Sequence, residues 1–79
     1  MSAGPRKFRT FDARPYFARG EEPREKLLAA VDALKPDEGL TVITPFLPAP
    51  LIERLRGAGF QVRPERAADG SWRTFFWRD

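Results

Sequence analysis

The chain has 79 residues, with 14 Lys plus Arg against 11 Asp plus Glu and neither Cys nor His. A chain this short buries only about 60% of the surface its unfolded form exposes, which leaves room for one core and excludes a second. The missing thiols and imidazoles exclude disulfides, zinc sites, thiolate nucleophiles, Cys or Ser/His dyads and haem ligation by the usual side chains, so stability must come from packing.

Residues 1–7 are small and polar around Gly4-Pro5 and read as a flexible lead-in to a single domain over residues 8–79. They hold no apolar stretch of the signal-peptide kind, and no later run reaches membrane-spanning length, so a cytoplasmic protein is expected. The first strand is expected from Phe8 to Ala13, followed by a loop bracketed by Pro15 and Gly20. Glu21-Glu22-Pro23 opens a helix, since Pro fits the first turn and carboxylates favour the positive end of the dipole. Leu27, Leu28, Val31 and Leu34 give that helix one buried face, and it should end near Lys35-Pro36.

Leu40 to Thr44 is a β-branched run between Gly39 and Pro45, as expected of a central strand with apolar contacts on both faces. After the stiff segment Pro45 to Pro50, a second helix should carry Leu51, Ile52, Leu55 and Ala58 inward until Gly59 stops it in a left-handed cap. Phe60 to Glu65 alternates, and Pro64 marks it as an edge strand. Asp69-Gly70 turns the chain into a last strand, Trp72 to Trp77, which closes a hairpin. Trp72, Thr74 and Phe76 share one face of that strand and Arg73, Phe75 and Trp77 the other, so both faces are aromatic. Two helices can cover only one face of four strands. The other should keep bulky groups of the last strand beside Thr41 and Ile43 or their opposite set, and such a patch marks a partner or dimer interface unless arginine stems and the N-terminal arm cover it.

Several segments together resemble the bacterial Domain of Unknown Function 2249 family: Phe11-Asp12-Ala13-Arg14, Gly20-Glu21-Glu22-Pro23, Gly39-Leu40, Pro45 to Leu51, Gly59-Phe60 and Asp69 to Arg73. The resemblance runs from Phe11 to Trp77. That family is similar in turn to the TusA/SirA sulfur carriers, which implies an α/β (α+β) two-layer βαβαββ sandwich with a mixed four-stranded sheet in order 1-2-4-3 and two helices on one face. The strand reading agrees, since it makes the second and fourth strands central and the third an edge. The carriers hold a reactive Cys in a Cys-Pro-x-Pro motif at the start of the first helix, where the dipole stabilises a thiolate or persulfide. Aligning Pro23 with the last Pro of that motif puts Gly20 at the Cys position and Glu21 at the first Pro, with two extra residues between Asp12 and Pro23. Persulfide relay by that mechanism is therefore excluded. The resemblance also implies companions among hemerythrin-like, iron–sulfur and denitrification proteins, that is, redox or iron and nitrogen metabolism.

Three regions are candidates for function. At the start of the first helix, Arg14, Arg19, Gly20, Glu21, Glu22, Pro23 and Arg24 could recognise an anion, a small ligand or a partner. The competing reading has Glu21 or Glu22 capping the helix, the arginines paired with acids, and Asp12 and Arg14 bracing the loop. The Pro-rich segment could present Phe46, Leu47 and Pro48 as a docking ridge, or fold Phe46 back on the core. In the last strand, Trp72, Arg73, Phe75, Phe76, Trp77 and Arg78 could stack single-stranded nucleic acid, or Ile43, Arg73, Phe75 and Trp77 could form a protein interface on the sheet face. The scattered arginines and modest net charge favour solvated surface over nucleic acid. Asp12, Asp32, Glu53 and Glu65 fall on separate elements, and Lys7, Lys26 and Lys35 have no evident desolvating pocket, so no catalytic residues, metal or cofactor are assigned. A non-enzymatic module that binds a protein partner or a second copy of itself is the expectation.

Overall fold

Residues 7–78 are described by the computed structural model, in the order β1 (Lys7–Asp12), α1 (Arg14–Ala18), α2 (Arg24–Asp32), β2 (Glu38–Thr44), α3 (Ala49–Gly57), β3 (Gln61–Arg66) and β4 (Trp72–Trp77). The lead-in expected over residues 1–7 lies outside the described residues except for Lys7, which opens β1. The four strands form one mixed sheet in the order β1-β2-β4-β3, with β1 parallel to β2 and both other pairings antiparallel. This is the expected architecture, with β2 and β4 central and the Pro64 strand at an edge.

The short run Leu40 to Thr44 forms β2 because it is buried on both sides. Leu40 and Val42 are buried in the core, and Thr41, which points the other way, is buried as well. Strand register assigns the faces. Phe11, Val42 and Thr74 stand in one row, and Leu40, Phe76 and Val62 stand on the same side. On that side Leu27 and Val31 of α2, Ile52 and Leu55 of α3, and Phe60 complete the core. Truncating a leucine packed in this way costs about 2–5 kcal/mol.

A third helix was not expected. The segment read as a loop between Pro15 and Gly20 forms α1, with Pro15 in its first turn, where a missing N–H costs nothing. It ends in a Schellman motif: Glu21 N–H donates to the Tyr16 carbonyl at 2.8 Å and Gly20 N–H to that of Phe17 at 3.1 Å, with Gly20 at φ +71°. Tyr16 stacks on Phe11 of β1, ring centroids 5.7 Å apart, which holds the short helix against the sheet.

The other two helices differ from expectation at their ends. α2 stops at Asp32 rather than near Lys35 because Pro36 disfavours a helical Lys35. Lys35 instead gives its N–H to Glu38 Oε1 and takes the Glu38 N–H on its carbonyl, both at 2.9 Å. α3 buries Ile52 and Leu55, whereas Ala58, expected to face inward, is exposed at the C-cap. Here a second Schellman motif, Phe60 N–H to Leu55 and Gly59 N–H to Arg56, swings Phe60 into the core in its place.

Candidate functional site

Because β1 and β2 are parallel, their C-terminal ends lie together, and each leads into helices. Between those ends and the starts of α2 and α3 lies a cleft of about 340 Å³. Its lining joins the two regions that were separate candidates in the sequence: Glu22, Pro23 and Arg24 on one side, Phe46, Pro48 and Pro50 on the other. Phe17 of α1 meets Phe46 edge to face, centroids 4.8 Å apart, so the short helix anchors the Pro-rich segment. The Thr44 hydroxyl donates to the Phe46 carbonyl from below. Pro48 sits at φ −84° and ψ 66°, and Ala49 N–H donates across it to the Leu47 carbonyl, an inverse γ-turn that fixes the entry to α3. Phe46 is 47% exposed and Leu47 43%, so neither ring nor side chain is absorbed by the core.

The start of α2 is not closed by a carboxylate. Its N-cap is Pro23, with no side-chain cap bond, so the expectation that Glu21 or Glu22 caps this helix is corrected. Glu21 is drawn away by Arg19, which donates to it at 3.0 Å and lies over the Tyr16 ring. That guanidinium holds the Glu21 carboxyl below its usual range. Arg14 grips Asp12 through two side-chain bonds of 2.9 Å and reaches Asp69 of the β3–β4 turn at 3.5 Å, which is the bracing role weighed for this pair. Arg14, Arg19, Gly20 and Glu21 therefore stand outside the cleft lining, while Glu22, Pro23, Arg24, Phe46 and Pro48 stand within it.

The model of a family described as "Uncharacterized conserved protein (DUF2249)" matches residues 10–78, which takes in both halves of this cleft and the whole of β2, β3 and β4. The chain belongs to that family. No match was found among curated proteins or among solved structures.

This DUF2249 member also has a sheet face that is bare among the described residues. Opposite the helices, Phe8, Phe75 and Trp77 form a ring cluster, with Phe8 edge to face on Phe75 at 5.5 Å and on Trp77 at 6.3 Å. Phe8 can lie there because Gly39, its partner on β2, has no side chain: a Cβ would come 2.5 Å from the Phe8 ring and 2.8 Å from the Phe76 carbonyl. Ile43 and Arg73 are paired on the same face, so all four residues proposed for a sheet interface, Ile43, Arg73, Phe75 and Trp77, do share it. Arg63 and Glu65, bonded at 3.1 Å, border the cluster. The wider set considered for nucleic acid is divided: Phe76 is fully buried in the core, Trp72 faces the helix side, and Arg78 stacks on Phe60 at 4.3 Å.

Sequence reasoning missed Phe17, Leu28, Leu51 and Arg54 in the cleft and Phe8 on the bare face. Strand alternation could have found Phe8. Phe17 needed α1 to be recognised first, and Leu28 and Leu51 had been spent on the core. Among the described residues no group of three acidic side chains is placed to hold a metal ion, and no helix is long and apolar enough to cross a membrane.

Proposed function

We propose that this chain is a non-catalytic accessory module of the cytoplasm that engages a protein partner, or a second copy of itself, through the bare face of its sheet. The observation that carries this reading is the cluster of Phe8, Phe75 and Trp77 with Ile43 on a face that no helix covers among the described residues. Apolar surface left in water gains about 25 cal/mol per Å² when a partner covers it. The rings already brace one another, so little side-chain freedom remains to be lost on binding. The sheet edges offer a poorer route: β1 carries Lys7 and Arg9, and β3 carries Arg63, Pro64, Glu65 and Arg66, which discourage strand addition. Companions of the kind implied by the sequence resemblance, iron–sulfur, hemerythrin-like and denitrification proteins, are the first partners to try.

Sedimentation at rising concentration, with capture from native extract, tests the reading through Trp77→Lys. The wild type is expected to self-associate or to retain a partner that Trp77→Lys loses and Phe46→Ser keeps. A monomer whose captured proteins do not change with Trp77→Lys would sink the proposal. Base stacking on this face is the weaker alternative, because rings packed edge to face do not present their flat sides freely. It requires single-strand affinity that falls with salt.

A further inference from the structure

We propose that the cleft between the starts of α2 and α3 binds a small organic acid, with an apolar body held by the aromatic and leucine lining and a single carboxylate held by Arg24 and Arg54. At about 340 Å³ the cleft lies at the small end of the about 300–1,000 Å³ range of ligand sites, too small for a nucleotide cofactor. Phe17, Leu28, Phe46 and Leu51 make its lining mainly apolar, so a fully hydrated anion such as phosphate gains nothing from them.

The charged groups on the lining choose the sign of the ligand. They are Arg24, Arg54 and Glu22, two cations against one anion. Among the described residues neither Arg24 nor Arg54 enters a salt bridge or a side-chain hydrogen bond, unlike Arg14 and Arg19, which are both committed to acids. Guanidinium groups hold a carboxylate through paired N–H donors, and one on each of the two helices that line the cleft suits one charged end. The first turn of α2 is capped by no side chain, and its free N–H groups add partial positive charge that Glu25, in the same turn, offsets only in part. The site is formed before binding: Pro23, Pro48 and Pro50 stiffen its rim, and the Phe17–Phe46 contact fixes its wall. This inference is independent of the sheet face, which lies on the other side of the strands.

Amide-resolved NMR titration of the full chain with hydrocinnamate, hydrocinnamyl alcohol and acetate tests it. Hydrocinnamate is expected to shift the amides around Phe17, Leu28, Phe46 and Arg54 saturably and to bind about tenfold more tightly than the alcohol. Acetate, lacking the body, should leave them in place. Arg24→Gln and Arg54→Gln lie on exposed positions and should fold normally; each should narrow the preference for the acid while leaving affinity for the alcohol unchanged. Equal binding of acid and alcohol, shifts confined to the sheet face, acetate shifts as large as those of hydrocinnamate, or no saturable shift would each overturn the proposal. So would an acid preference that both arginine variants retain in full.

Discussion

Thr74 is fully buried at the centre of the helix-covered face, and its hydroxyl has no hydrogen-bond partner among the described residues. It stands between Val42 and Pro64, one of which is apolar and the other without an N–H to donate. A buried hydroxyl left unsatisfied costs about 1–3 kcal/mol, and valine has nearly the same shape. Thr74→Val is therefore expected to raise stability by about 1 kcal/mol in chemical denaturation; a loss of stability would mean that the hydroxyl has a hidden partner. At this scale much of the bare face was legible. Alternation along the last strand puts Arg73, Phe75 and Trp77 on one face, whereas Ile43, on another strand, joins them only through the pairing of β2 with β4. It could not say which face was bare, because Trp72 and Phe76 are as bulky as Phe75 and Trp77. The path of the helical connections across the sheet decides that, and strand composition does not record it.

Among the elements, the strands were the readable part and α1 the missed one. Strands announce themselves by short β-branched and alternating runs, whereas α1 is five residues long and has no apolar period to display. Its signal lay in its punctuation, Pro15 at the start and Gly20 just past the end, the usual asymmetry of helix ends. Reading those two residues as loop markers hid Phe17, and with it the contact that joins two candidate regions into one cleft. The Schellman cap makes this testable. Nothing lies within 4 Å of where a Gly20 side chain would begin, so only the left-handed backbone resists substitution. Gly20→Ala should lower stability by about 1 kcal/mol and Gly20→Asn by less, since asparagine tolerates that conformation. Equal melting temperatures for the three proteins would argue that α1 does not end in this way.

For the molecule as a whole, the carboxylates set the response to acid. Asp12 is held below its usual range by hydrogen bonds from the Arg14 side chain, Asp69 by the Ser71 hydroxyl and N–H, and Glu38 by the Lys35 backbone N–H. Groups depressed in the folded state take up protons first in the unfolded chain, so their contribution is full above the ordinary carboxylate range of about 4 and is lost as pH falls through the lower folded values. The melting temperature should hold steady from about pH 7 to pH 5 and decline below about pH 4, with Asp69→Asn flattening the decline. A profile that does not fall in acid would contradict these pairings. The strand order has one more consequence, for synthesis. β4, which follows β3 along the chain, occupies an interior position between β2 and β3, so a growing chain on the ribosome holds β2 with one flank unpaired until β4 emerges. Completion of the sheet thus waits for β4, and truncation before Trp72 would remove the middle of the sheet rather than trim its rim.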